Sequence, residues 1–232
     1  MAYTLFYSPD SANIVVRMAL EEMGAAYQAL EVDRRENAQR SEAFLKFNPQ
    51  GLLPVLVDPA QDEPVFETAA ILLHLADQHS TLKPLDQRAR GRLLKWLFFL
   101  SNTLHADLRM AFYTERYADS AESIAALRVH LRGRMTAHLA LLEAEMARHE
   151  GPWLLGAEVS VCDLYLAACV RWAQLYPRGD AVPATAVQAL PRLTALLQTL
   201  DARPAVQKKA FAAEGISGAL FLAPVYPGNP VV

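Results

Sequence analysis

Cysteine is nearly absent from this chain: of 232 residues only Cys162 and Cys169 carry a thiol. Both lie in one apolar run, VCDLYLAACVRW, seven residues apart. That spacing puts them on one face of a helix. It also leaves them two turns apart, beyond the reach of a disulfide. They read as small buried hydrophobes, and few unpaired cysteines fit a reducing compartment. Long apolar runs are missing as well. The richest stretch, ILLHLA, is broken by His74, so a membrane span is not expected. The opening MAYTLFYSPD has neither the positive start nor the apolar core of a secretion signal, and a cytoplasmic location is expected. An excess of positive charge is also lacking, with a net charge of −3 and no basic cluster. Nucleic acid and anionic membrane are therefore not expected partners. No internal repeat and no low-complexity block appears.

What the chain does have is apolar residues, 53%, against 20% charged, enough for a sizeable core in one large or two modest domains. The first 80 or so residues alternate strand and helix signals. Tyr3 to Tyr7 is a short β-rich run closed by the turn cluster Ser8-Pro9-Asp10. A helical pattern begins near Ser11, sets Ile14, Val15, Met18, Ala19 and Met23 on one side, and stops at Gly24. Tyr27 to Val32 reads as a second strand and Ser41 to Phe47 as a short charged helix. After the turn Asn48-Pro49-Gln50-Gly51 come Val55–Val57 and an edge strand at Val65-Phe66. Thr68 to Asp77 is apolar almost all round, so burial on more than one side is expected. The order βαβ then ββα predicts a small α/β domain with a mixed sheet.

The character changes over residues 79–88, where the linker is placed. Beyond it the periodicity is helical throughout: one long helix from Arg88 to about Tyr117, a second from about Ala121 to Arg148, and a third from Ser160 to about Tyr176. Ser160 and Asp163 have the spacing of a capping box. Shorter helices follow Pro191 and Pro204. The expected division is residues 1–79 as an α/β domain, 88–219 as an all-α domain, and 220–232 as a surface tail.

Four segments together carry a resemblance: LFYSPDSANIVVRMALEEMG, the loop NPQGLLPVL, the helix start FETAAILLHL, and the C-terminal pair GPWLLGAEVSVCDLYLA and ARPAVQKKA. In this order and spacing the chain resembles the cytosolic glutathione transferases over nearly its whole length, most like bacterial, serine-type members. The resemblance implies a thioredoxin-like glutathione-binding domain followed by a helical domain, and glutathione as co-substrate without a metal. It also implies a homodimer and attack of a glutathione thiolate on a small hydrophobic electrophile. It leaves open a non-catalytic glutathione- or ligand-binding protein of the same fold, and a glutathione-dependent isomerase or peroxidase.

The chemistry asks for a place to hold a thiolate. A free thiol has a pKa of about 8.5 and is mostly protonated near neutrality. One hydroxyl hydrogen bond to the anion is worth roughly 1.5–3 kcal/mol and a helix N-terminus roughly 0.3–1 kcal/mol. Ser11, just before the first turn of the first helix, matches the activating hydroxyl of the serine-type classes. As a plain N-cap it would need no such role. Tyr7 is the rival, as the tyrosine that other classes use, and Ser8 and Asn13 are lesser candidates. Residues 10–13 supply no cysteine, which disfavours mixed-disulfide chemistry. By the same resemblance, Pro54 is the family's cis-proline, presenting the Leu53 backbone to the tripeptide. Glu67 and Thr68 hold the γ-glutamyl end. Leu52 stands where many relatives carry a long polar residue for the glycyl carboxylate, with Gln50 as the nearby substitute, and Ala69 replaces a frequent polar residue. For the electrophile, Asn102, His105, Arg109 and Tyr113 form a polar stripe in the long helix, with Phe112 beside it. His105 has no second ligand at metal-binding spacing.

Overall fold

In a computed structural model, residues 2–84 and 86–227 are described. The chain divides into two units. The first holds the residues through Leu82 together with Ala202–Ser217; the second holds Lys83–Asp201 and Gly218–Val225. The boundary between Leu82 and Lys83 lies inside the expected linker 79–88, of which Leu85 lies outside the described residues. The expected 88–219 domain does not stay whole, because residues 202–217 return to the first unit. Of the expected tail over 220–232, residues 228–232 lie outside the described part.

The first unit contains β1 (Tyr3–Tyr7), α1 (Asn13–Met23), β2 (Tyr27–Glu31), α2 (Glu42–Leu45), β3 (Val55–Val57), β4 (Val65–Phe66) and α3 (Thr68–His79). The sheet order is β2-β1-β3-β4, with β1 and β2 parallel and the other pairs antiparallel, so it is mixed as the element order predicts. Alternation along β1 sends Leu5 to one face, where it is fully buried, and Phe6 to the other. There Phe6 meets Phe44 edge-on and Phe47, beside Val32 and Val55.

Helix α1 ends where Gly24 takes a left-handed φ of 62°, a conformation that suits a residue without Cβ. From Asn13 to Leu20 every residue of α1 is buried. The sheet and α3 lie against it, and so does the helical stretch Ala205–Phe211, which supplies the cover the N-terminal residues lack. Ion pairs fasten that return, one of them Lys209 to Glu21 at 3.8 Å. Arg203 forks onto Glu22, its Nη2 2.5 Å from one oxygen, and Arg17 meets Glu214 at 2.8 Å. Helix α3, expected to bury more than one side, buries one stripe: Thr68, Ile71, Leu72, Leu75 and Ala76.

The second unit contains α4 (Gln87–Phe99), α5 (His105–Phe112), α6 (Ala121–Met146), α7 (Val161–Leu175), α8 (Ala184–Gln188) and α9 (Pro191–Asp201). The expected single helix over 88–117 is helical nearly throughout, but a π-helical stretch at Leu100–Leu104 separates α4 from α5. Helix α7 is central and almost wholly buried. Its start is the expected capping box: the Asp163 carboxylate accepts from the Ser160 N–H and hydroxyl, each at 2.7 Å, and from the Leu154 N–H at 2.7 Å. Cys162 and Cys169 are buried, unpaired thiols in this helix. Burial pushes the pKa of both upward. Among the described residues no helix is long and apolar enough to cross a membrane.

Candidate glutathione-binding site

Strand register builds the site. Phe6 pairs with Val55, and Val55 with Phe66, so one row crosses β1, β3 and β4. Because β3 is antiparallel to both neighbours, the segments just past that row leave by the same end of the sheet. These are the turn after Tyr7, the Leu53-Pro54 dipeptide before Val55, and Glu67-Thr68 after Phe66. Residues 8–13, 53–54 and 67–68, distant in sequence, are thereby brought to one edge. The Leu53–Pro54 bond is cis, the isomer that the resemblance implies.

In the turn, Asp10 is buried and has a left-handed φ of 51°, a conformation that Asp tolerates better than most residues. Helix α1 opens at Asn13, two residues later than the sequence pattern suggests, with Ala12 as N-cap. Ser11 therefore sits outside the helix: its carbonyl accepts from the Ile14 N–H at 2.9 Å, and its half-buried hydroxyl donates to Asn13 Oδ1 rather than capping a backbone N–H. Asn13 is fully buried and also accepts from the Ser8 N–H at 3.0 Å. With Oδ1 thus used, its Nδ2 donates to Glu214 Oε1 at 2.8 Å.

Below this turn lies a charged group that the sequence pattern did not lead to. Glu214 accepts from Asn13 Nδ2, from Arg17 Nε at 2.8 Å, and from the Asp10 N–H at 2.9 Å. Burial pushes its pKa up to about 7, against the pull of Arg17 and the backbone donor. Arg17 also reaches the Tyr27 hydroxyl at 3.3 Å and lies over the Tyr7 ring, 4.5 Å from its centroid. The Tyr27 phenol, pushed up to about 12 by burial and then by its bond to Glu21, stays protonated. The one signal available in the sequence was Arg17 itself, a cation inside the apolar run IVVRMAL, which demands a buried partner. Nothing local says that the partner lies almost 200 residues downstream.

Tyr7 is half-buried, its ring under Arg17 and its hydroxyl 3.5 Å from Glu31 Oε2. Its pKa is raised, by burial first and by Glu31 next. At the second corner, the Gln50 amide donates to Glu67 Oε1 at 3.2 Å, so these two side chains meet across the edge. Asn48 holds the loop between them, donating to the Leu52 carbonyl and accepting from the Gln50 N–H, each at 3.0 Å. Glu67 carries a φ of 71° just before the first turn of α3. Such a backbone in a non-glycine residue is costly and persists where the surroundings enforce it, often at binding sites. Thr68 opens α3 and is buried.

The electrophile candidates belong to the second unit. The polar stripe was drawn at 3.6 residues per turn, and the π-helical stretch breaks that period between Asn102 and His105. Asn102 is exposed and accepts from the Ser101 hydroxyl at 2.9 Å. His105 instead turns inward: Nδ1 lies 2.7 Å from the Tyr165 hydroxyl, and the ring stacks on Trp172 at 5.2 Å. Burial, and then Arg109, lower its pKa to about 4, so it is a neutral imidazole near pH 7. Arg109 is exposed. Phe112 packs edge-on against Tyr113 and Tyr176, and Arg116 lies 3.9 Å over the Tyr113 ring, leaving a half-buried aromatic surface at the end of α5.

A mixed four-stranded sheet with this edge, joined in one chain to an all-helical unit, defines the architecture of a thioredoxin-like domain with a helical partner domain. Residues 1–77 match the glutathione S-transferase N-terminal domain and residues 105–209 the glutathione S-transferase C-terminal domain. The chain belongs to the glutathione transferase family. Glutathione S-transferase GstA of Escherichia coli O157:H7 is 26% identical over 91% of this chain and 98% of that protein. The disulfide-bond oxidoreductase YfcG of Escherichia coli (strain K12) is 28% identical over 75% of this chain and 80% of its own length. Among solved structures, a glutathione transferase homologue from Sulfitobacter with bound glutathione superposes with a TM-score of 0.77 at 27% identity, covering 92% of this chain and 98% of that one.

Proposed function

We propose that this protein is a glutathione transferase that binds glutathione along the sheet edge and activates its thiol for attack on a small hydrophobic electrophile. The observation that carries this reading is the convergence of three segments, residues 8–13, 53–54 and 67–68, at one end of β1, β3 and β4. Each has a chemistry that suits one part of the tripeptide. The N-terminus of α3 offers N–H groups and the positive end of a dipole to the γ-glutamyl carboxylate, with the Thr68 hydroxyl as a further donor. Glu67 suits the α-ammonium. The Leu53 backbone suits the cysteinyl backbone as a strand-like partner. Gln50 suits the glycyl end, where Leu52 offers no polar group. The thiolate falls to the Ser11 hydroxyl and the opening of α1. Phe112 and Tyr113 are the apolar contacts we assign to the electrophile, whereas His105, held by Tyr165 and Trp172, supports that surface from within. A homodimer in the cytoplasm accords with the family.

A second reading, a glutathione-binding protein without turnover, is favoured by one feature: the Ser11 hydroxyl is already committed to Asn13 and must leave it to meet a sulfur. Calorimetric titration with glutathione, followed by conjugation of an aryl halide by wild type and Ser11→Ala, separates the two. Binding with Ser11-dependent turnover supports the transferase. Binding without turnover supports the second reading, and absence of binding defeats both.

A further inference from the structure

We propose that Glu214 is a positioning residue of the thiol-activating turn, holding the two groups that flank Ser11 so that its hydroxyl is presented to the sulfur. The inference rests on Ser11 being the sulfur's partner. Glu214 reaches the turn from the returning C-terminal segment, at the end of the short helical turn Ala212–Glu214, just before Gly215 with its left-handed φ of 72°. Its side chain is completely buried. One oxygen accepts from Asn13 Nδ2 and Arg17 Nε, the other from the Asp10 N–H. Asp10 and Asn13 bracket Ser11 in the chain, and Asn13 is the residue to which Ser11 donates.

An ionised carboxylate only accepts, so three donors converging on it are oriented by it and cannot be shared the other way. The Asp10 N–H belongs to a residue in the left-handed region, where backbone direction is not secured by ordinary turn preferences. Without Glu214 the Asp10 N–H and the Asn13 amide lose their buried acceptor, and the turn must rearrange to find others. Arg17 gives the carboxylate its counter-charge and is itself fixed between the Tyr7 ring and the Tyr27 hydroxyl. The arrangement thus runs from the sheet, through Arg17 and Glu214, to the residue that carries the hydroxyl.

The test is the pKa of the glutathione thiol bound to the full-length protein, read from ultraviolet thiolate absorption against pH. It is measured for wild type, Ser11→Ala, Glu214→Ala, Glu214→Gln and the double variant Ser11→Ala/Glu214→Ala. Glu214→Ala is expected to raise the bound thiol's pKa about as far as Ser11→Ala does, by about one unit, and to slow aryl-halide conjugation about tenfold at pH 6.5. In the Ser11→Ala background the Glu214 substitution should add nothing to the thiol pKa, because the two act as one unit. Glu214→Gln keeps the side chain's shape but leaves one acceptor oxygen for three donors, and should give an intermediate shift with a native circular dichroism spectrum. It carries the test if Glu214→Ala does not fold. Folded Glu214 variants with a wild-type thiol pKa, or shifts that simply add to that of Ser11→Ala, overturn the proposal while leaving the transferase reading intact. A wild type that does not bind glutathione, or a Ser11→Ala protein with an unshifted thiol, overturns that reading and this proposal with it.

Discussion

Replacing Ser11 by alanine isolates the chemical step, and its size follows from the hydrogen bond already present. In the structure the hydroxyl donates to Asn13 Oδ1. To meet a thiolate it must rotate away, giving up a neutral bond worth about 0.5–1.5 kcal/mol for one to a charged acceptor worth about 1.5–3 kcal/mol. The net gain is about 1–1.5 kcal/mol, or roughly one unit of thiol pKa. The opening of α1 contributes about a further 0.3–1 kcal/mol, which the substitution leaves untouched. A bound thiol near pKa 7 in wild type should therefore move to about 8 in Ser11→Ala, still below the roughly 8.5 of a free thiol. Conjugation of an aryl halide at saturating glutathione should fall about tenfold at pH 6.5, where the thiolate fraction scales with the pKa difference. At pH 9.5 the two proteins should converge. Folding is expected to change little, because Asn13 Oδ1 keeps the Ser8 N–H after the hydroxyl is gone. Thiolate absorption against pH, paired with the rate profile, measures both quantities. A deficit of the same factor at every pH would refute the reasoning, since it would mean that the hydroxyl acts on something other than thiol ionisation.

Thr68→Ala should weaken glutathione binding about tenfold to a hundredfold by calorimetry, the worth of one donor to a carboxylate, while leaving kcat nearly unchanged; a selective loss of kcat would argue against its place at the γ-glutamyl end. Asp163→Ala removes the acceptor of the Leu154 and Ser160 N–H groups inside the second unit and should cost about 3 kcal/mol in urea denaturation, against under about 1 kcal/mol for an ordinary exposed site. A neutral imidazole should also tilt stability with pH. His105, held neutral with a folded pKa of about 4, contributes stability that is present above pH 6.5 and lost as the pH falls toward 4. Melting temperatures across pH 4–8 should therefore show a shallower acid limb in His105→Phe; an unchanged limb would sink the assignment.

The parts legible from sequence are those that local rules determine. Strand β1 ends at a Ser-Pro-Asp cluster, α1 ends at Gly24, and the Ser160–Asp163 box has both partners within one turn, so each was readable in place. The sheet edge was readable in kind because NPQGLLPVL and FETAAILLHL carry a family pattern. Its geometry was not, since it depends on the pairing of Phe6, Val55 and Phe66, which lie far apart in the chain. The polar stripe failed as a face because periodicity assumes a uniform helix, and one π-helical stretch at Leu100–Leu104 turned His105 toward Tyr165. The cluster of apolar residues from Thr68 overstated burial: composition says how much apolar surface is present, not how many neighbours arrive to cover it.

The least legible feature is also the one that ties the site together. Arg17 stands in a helix whose every neighbour from Asn13 to Leu20 is buried, so its charge has to be met inside the protein. A buried guanidinium without a partner costs about 3–5 kcal/mol, a large share of a domain's net stability of about 5–15 kcal/mol. Among the described residues through Leu82, Arg17 finds the Tyr27 hydroxyl and the Tyr7 ring but no ion pair, and the carboxylate comes from Glu214. The thioredoxin-like unit is therefore closed, electrostatically as well as by packing, by a segment that follows α9 in the chain. In the turn that carries Ser11, the Asp10 N–H and the Asn13 amide both donate to Glu214, which makes the C-terminal stretch 202–217 part of the first unit rather than an appendage of the helices.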